Sequence, residues 1–282
     1  MYHNWHLHRF YTGTFVFIKT YKMKKIISCS SVLFAVAMMV FSIYGVAQSN
    51  GKQSLVKKNK DSSMVVLELF TSQGCSSCPP ADVVLSKYAI QNNPNSIPLA
   101  FHIDYWNYIG WKDPFSKAQY SERQREYAQI FNQSGVYTPQ LVINGKYELV
   151  GTKESEIANL VAKEAAVSCN VVIKIISSNL IQNQLVIKFE VVGNSTTSKV
   201  NLALVKKKEF TKIKRGENSG LEQTSYNIVY DFKSLALNSA KKSGITFNFQ
   251  SDWKPNDFMV VAYLQNKSTG AINTASKAEI NL

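Results

Sequence analysis

The sequence predicts an α/β domain with a βαβαββα element order, followed by a β-rich, sandwich-like domain. Three observations carry this. Between residues 64 and 167, apolar runs that suit strands alternate with stretches of helical period. A Cys-x-x-Cys, Cys75 and Cys78, stands between the first strand and the first helix. From Ser168 onward the helical period stops, and short β-rich runs punctuated by Asn, Ser, Gly and Lys take over.

The chain has 282 residues, enough for two cores of ordinary size. Its apolar fraction of 45% and charged fraction of 18% are those of a globular protein. The formal net charge is +13. Five of the 32 basic residues and none of the 19 acidic ones lie in residues 1–47, so 27 face 19 in the remainder. That excess is diffuse, with Lys206-Lys207-Lys208 as its one run, and reads as a solvated surface rather than a nucleic-acid site.

The N-terminus reads as an export signal, with Met23 as the expected start. Met23-Lys24-Lys25 opens a basic region, an apolar stretch follows from Val32 to Tyr44, and Gly45-Val46-Ala47 supplies small residues before a break. Cleavage after Ala47 is expected; the alternative is a membrane anchor formed by residues 26–47, short for the roughly 20 residues that span a bilayer. Membrane association is expected only if that segment stays uncleaved. The mature chain is then periplasmic or secreted, an oxidising setting in which a cysteine pair can cycle. Cys29 falls too early for lipid attachment, and residues 48–63 read as a Lys-rich flexible leader.

Met64 to Phe70 suits a buried strand, and Glu68 is its one charged residue. Glu68 is either a strand-end carboxylate facing solvent or a partly buried one that relays a proton to Cys78. Pro79-Pro80-Ala81-Asp82 opens a helix that runs to about Asn92, since first-turn N–H groups need no intrahelical partner. The same free N–H groups and the helix dipole point at the cysteines and favour a thiolate. Ile97 to Ile103 is the second strand. Asp104 to Phe115 is an aromatic-rich insertion after it. Such loops either pack on themselves or line a ligand site; Trp106, Tyr108 and Trp111 are hard to bury together, so a lip beside the cysteines is expected.

Ser116 to Phe131 has helical spacing, with Tyr120, Tyr127, Ile130 and Phe131 inward. Asn144-Gly145 between two apolar runs marks a hairpin. Thr152 to Val167 is a third helix with Thr152 as its expected N-cap. This order is that of a thioredoxin core. Thr138-Pro139 falls just before the hairpin, where that fold turns a cis X-Pro bond toward the cysteines, leaving the residue before it free to pair with a bound chain.

Several strings then identify a family. Glu68 to Asp82, His102 to Phe115, Glu122 to Ala128 and Val136 to Gln140 resemble the secreted thioredoxin-like proteins grouped as domain of unknown function 1223. The likeness is close from Met64 to about Val167 and looser through Lys214 to Gly220. It implies a thioredoxin-like domain over 64–167, a β-rich companion over 168–282, and export. It implies no substrate. Such proteins often carry a His before an Asn-Val-Val-like run; here Ser225 stands there, before Asn227-Ile228-Val229, so no role for that His carries over.

The second half shows strand-like runs at 171–176, 185–192, 200–205, 226–232, 245–249 and 258–264. The Lys214 to Gly220 loop either binds a partner or simply turns. Cys169 is either a buried free thiol or a resting partner for an active-site cysteine.

The chemistry expected is thiol–disulfide exchange. Cys75, the more exposed, is the attacking or attacked sulfur, Cys78 resolves the mixed disulfide, Glu68 manages the proton, and Thr138 with Pro139 shapes the groove. The partners expected are a thiol or disulfide substrate, protein or small molecule, and a redox partner in the cell envelope. No cofactor and no metal is expected: a second Cys-x-x-Cys is missing, and zinc needs about four ligands. Ser76-Ser77 carries neither a His nor a charge and leaves redox direction open. Two rivals stand. One is a binding module with a structural disulfide. The other is a Cu(I) handler using Cys75, Cys78 and His102, the one histidine after Met23.

Overall fold

The computed structural model describes residues 64–91, 95–193, 197–237 and 242–282. The expected signal segment and leader lie outside them. Among the described residues, no helix is long and apolar enough to cross a membrane.

The first half contains β1 (Val65–Thr71), α1 (Pro79–Ile90), β2 (Ser96–His102), α2 (Ala118–Ile130), β3 (Gln140–Ile143), β4 (Tyr147–Val150) and α3 (Glu154–Ala165). The second half contains β5 (Val172–Ile181), β6 (Gln184–Val192), β7 (Ser198–Lys212), β8 (Glu222–Ala236), β9 (Lys242–Asn248), β10 (Phe258–Asn266) and β11 (Ile272–Glu279). The fold is mixed α/β, with one large mixed sheet and a smaller second sheet. The large sheet has the order β11-β10-β7-β8-β2-β1-β3-β4, and the small one β5-β6-β9. β1 pairs parallel with β2 and antiparallel with β3.

The sheet crosses the expected domain boundary at 167/168. β8 lies parallel beside β2 at Ala100–Ile228, and Asn227 Nδ2 donates to Pro98 O at 2.9 Å. Helix α2 reinforces the seam: Tyr120 Oη donates to Val229 O and Gln119 Nε2 to Phe232 O, each at 2.9 Å. The described residues therefore share one compact unit. The small sheet does face part of the large one, as a sandwich would, but the sheet it faces is an extension of the α/β sheet.

Strand parity sets the layers. Val66, Phe70, Leu99 and Phe101 point to one face, with Ala203, Val205, Val261 and Tyr263, and bury against Tyr120 and Tyr127 of α2. Leu67, Leu69 and Leu141 point to the other face and meet Ala81, Val84 and Leu85 of α1 and Ile157 of α3. Farther along that second face, Leu202, Leu204, Val260 and Ala262 meet Ile173, Leu185, Ile187 and Phe189 of the small sheet.

β7 and β8 run well past the 200–205 and 226–232 expected of them. Beyond the core they pair as a ribbon, with Phe210 opposite Thr224 and Lys212 bonded to Glu222 at 2.7 Å. Cross-strand pairs hold such a ribbon without an apolar run to mark it. β11 has no counterpart among the expected strands: its sequence, Ile-Asn-Thr-Ala-Ser-Lys-Ala-Glu, is too polar to show as one. Helix α3 starts on Lys153 without a side-chain cap, so Thr152 is not its N-cap.

The Asn144-Gly145 hairpin forms with both residues at positive φ, +48° and +60°, as a tight two-residue turn requires. It also docks the second half: Ile272 N donates to Asn144 O at 2.7 Å. A Cβ on Gly145 would lie 1.9 Å from Gly270 O. Gly145→Ala is therefore expected to cost roughly 2–5 kcal/mol, from strained φ plus a backbone clash. Gly135→Ala, where a Cβ meets nothing within 4 Å, should change the denaturation midpoint little.

Candidate functional site

β1 ends at Thr71, and the chain turns through Ser72–Cys78 into α1. Two successive turns shape it, with Cys75 N donating to Ser72 O and Cys78 N to Cys75 O, both at 3.2 Å. Cys78 occupies the N-cap of α1, and prolines fill the first helical positions. Cys75 and Cys78 form a disulfide with Cα atoms 5.4 Å apart. Cys75, expected as the more exposed of the pair, is covered like its partner: Cys75 is 1% and Cys78 0% accessible. Ser76 and Ser77 between them are exposed.

Three segments cover Cys75. Thr138 Oγ1 donates to Cys75 Sγ at 3.3 Å, and Ser77 Oγ lies 3.3 Å from the same sulfur. The Thr138–Pro139 bond is cis. The aromatic segment closes a second side. Trp106 Nε1 donates to Thr138 Oγ1 at 2.8 Å, and Trp111 Nε1 to Gln73 Oε1 at 3.1 Å. Gly74 lies so close to Trp106 that a Cβ there would sit 3.3 Å from its Cβ. Trp106 and Trp111 are thus brought to the cysteine turn. Tyr108 is not; it rides a 3-10 turn, Asn107–Ile109, and is 81% exposed.

The third cover comes from the second half. Asn218 Nδ2 donates to Gln73 O and to Cys75 O, both at 2.9 Å, and Glu217 Oε2 accepts Ser76 N–H at 3.1 Å. Gly216, at φ +77°, lies against Trp111, where a Cβ would meet Trp111 Cβ at 3.1 Å. Neither Glu217 nor Asn218 was among the candidate site residues. The loop itself was visible as a polar, Gly-flanked string, but nothing local ties it to a turn some 140 residues earlier. Asn218→Ala removes two hydrogen bonds worth about 0.5–1.5 kcal/mol each, so dithiothreitol should reduce the disulfide roughly 5–150-fold faster. A stopped time course of thiol release measures this; an unchanged rate would show that the loop does not limit access.

Glu68 is the largest correction. It is fully buried, and it sits on the β1 face that packs against α2, whereas α1, which carries Cys78, packs on the Leu67–Leu69 face. Arg123 holds its carboxylate through Nε and Nη2, each at 2.9 Å, and Tyr127 and Tyr263 donate to it. Burial opposes the guanidinium charge, but Glu68, with Tyr127 and Tyr263, holds the Arg123 pKa above its ordinary value. Glu68 is a structural ion-pair partner, neither solvent-facing nor a relay.

The carboxylate near Cys78 is instead Asp82, one helical turn on, with its N–H on Cys78 O at 3.1 Å. Asp82 is partly buried. Its Oδ2 accepts from Thr71 Oγ1 at 3.1 Å and from Gln223 Nε2 of β8 at 3.0 Å. Desolvation pushes its pKa up to about 6, against the attraction of His102 and the Thr71 hydrogen bond. His102, at the end of β2, is fully buried, and its Nδ1 lies 2.7 Å from Asp113 Oδ2. Burial opposes the imidazolium, but the charge and hydrogen bond of Asp113, with a contribution from Asp82, raise the His102 pKa overall. Asp113 is buried too; His102 and the amides of Gln73 and Phe115 outweigh its desolvation and lower its pKa. His102 Nδ1 is therefore engaged by Asp113, while Nε2 has no hydrogen-bond partner among the described residues. Among the described residues, no three His, Cys, Asp or Glu side chains are placed to hold a metal ion. Cys169 is a partly buried free thiol.

These features define a mixed α/β protein whose disulfide-closed Cys-x-x-Cys lies at a helix N-terminus, under a Thr-Pro corner and a loop from the second half. The profile described as protein of unknown function (DUF1223) matches residues 66–265, and the chain belongs to that family. A crystal structure of a protein from Agrobacterium tumefaciens is similar, with a TM-score of 0.59 and 29% identity, over 76% of this chain and 93% of that one. No curated protein matches the sequence.

Proposed function

We propose that this protein is an exported thiol–disulfide oxidoreductase built on a thioredoxin-like core. The observation that carries the proposal is the seat of the Cys75–Cys78 pair at the N-terminus of α1, with Thr138 Oγ1 donating to Cys75 Sγ. An incoming thiolate attacks Cys75, the S–S bond breaks, and the electron pair leaves on Cys78. A second thiolate then resolves the mixed disulfide. The dipole of α1 favours negative charge on the sulfurs at its N-terminus, and the Thr138 hydroxyl donates to Cys75 Sγ. Trp106 and Trp111 flank the approach, and the Glu217–Asn218 loop swings aside to admit the substrate. An N-terminus that reads as an export signal supports a setting in the cell envelope, with protein or small-molecule thiols and disulfides as substrates and a redox partner there. The test is exchange between the purified protein and a glutathione or dithiothreitol couple, with Cys75→Ser as control. Measurable exchange that this substitution abolishes is the expected result.

The 1% exposure of Cys75 favours a second reading, a binding module whose disulfide is structural. Its signature is a disulfide that stays closed to reductant even in Asn218→Ala, with a very negative reduction potential.

A further inference from the structure

Among the described residues, four buried side-chain polar atoms lack a hydrogen-bond partner: Gln73 Nε2, Ser96 Oγ, His102 Nε2 and Gln223 Oε1. Three of these belong to residues bonded to Asp82 or Asp113. Gln73 donates its N–H to Asp113 Oδ2, His102 shares that same oxygen, and Gln223 donates to Asp82 Oδ2. Buried polar atoms are ordinarily satisfied, and a concentration of exceptions calls for a cause. The three are two side-chain amides and one imidazole, on residues that hydrogen-bond the Asp82 and Asp113 carboxylates.

We propose that Asp82 exchanges the proton of Cys78, with His102 and Asp113 behind it setting its charge. This rests on the oxidoreductase reading. Cys78 and Asp82 are four residues apart, Cys78 has helical backbone angles of −79° and −38°, and such pairs have Cβ atoms about 5–6 Å apart on one helix face. When a thiolate attacks Cys75, the S–S electron pair arrives on Cys78 as thiolate. Protonated Asp82 gives its proton to Cys78 Sγ and becomes a carboxylate. In the reverse direction, Asp82 carboxylate takes that proton, and the Cys78 thiolate attacks Cys75 in the mixed disulfide and expels the substrate thiolate. Of Asp82, His102 and Asp113, only Asp82 is not fully buried as a residue, although its carboxyl is strongly desolvated. A residue titrating near 6 serves both directions at neutral pH. The groups that face Asp82 are Cys78 on its own helix, Thr71 of β1, His102 of β2, Asp113 of the aromatic segment and Gln223 of β8. His102 and Asp113 act through Asp82 and are positioning residues.

Two measurements test this on the full chain. The first is the Cys78 thiolate titration in reduced Cys75→Ser protein, by alkylation rate against pH, with and without Asp82→Asn. The second is the pH profile of disulfide reduction by dithiothreitol. Asp82→Asn should remove one inflection from the Cys78 titration and slow reduction roughly 10–100-fold, at the low end of acid–base catalysis. His102→Gln should shift the acid limb of the profile and retain most of the rate at its new optimum. A Cys78 titration identical with and without Asp82 overturns the proposal, whatever the exchange rate. A wild-type protein inert to every dithiol overturns the oxidoreductase reading, and the proposal with it.

Discussion

Arg123→Met should destabilise the fold by about 3–5 kcal/mol, the usual cost of stranding one half of a buried ion pair. Arg123 is 4% exposed and Glu68 0%, so the carboxylate left behind has no route to water. Two tyrosine hydroxyls would still donate to it. The guanidinium also lies 4.8 Å from the centre of the Phe232 ring and 5.1 Å from that of Tyr127, so packing is lost with the charge. For a unit of this size the melting temperature should fall by roughly 6–20 °C. Glu68→Gln should also destabilise, and the double variant should lose less than the sum, because the stranded charge is then gone. Folded Glu68→Gln should exchange thiols at the wild-type rate, since Glu68 faces away from α1. A slowed exchange there would restore the relay role that the geometry removes.

Asp82→Asn should have the opposite effect on stability and a strong dependence on pH. The folded pKa is raised from 3.8 to about 6, chiefly by desolvation. Its stabilising contribution is therefore present below about pH 4 and is lost as pH rises through about 6. At pH 7.5 the ionised carboxylate costs at most about 3 kcal/mol, at 1.36 kcal/mol per pKa unit. Asparagine keeps an oxygen for Thr71 and Gln223 to donate to and carries no charge. Denaturation midpoints should show the variant more stable than wild type at pH 7.5 and equal to it near pH 4. Equal stability at both would mean that Asp82 is as well solvated folded as unfolded. On the proposed role of Asp82, a residue that lowers stability while serving exchange is the trade-off expected at a working site.

Much of the first half was legible because its signals are local. Pro79-Pro80 after Cys78 starts a helix wherever it lies, and Asn144-Gly145 turns a hairpin for the same reason of backbone sterics. The chemistry around the cysteines was legible in part. Thr138, Trp106 and Trp111 were found from their place in the element order. The setting of Glu68 is not legible, because a lone charge in an apolar strand says nothing about which face it takes or what waits there. Asp82 was in view only as a first-turn acid of the helix.

By itself, the sequence determined the strand and helix order from 65 to 165, the helix-capping Cys-x-x-Cys and the β-rich second half, all set by residues close along the chain. The tertiary structure alone decided the rest. It set β8 beside β2 and so merged two expected domains into one sheet. That seam carried Gln223 to Asp82 and the Glu217–Asn218 loop to Cys75. It also buried both sulfurs and gave Glu68 to Arg123. Each of these depends on strand register and parity across more than 50 residues, and a one-residue slip would reverse every face.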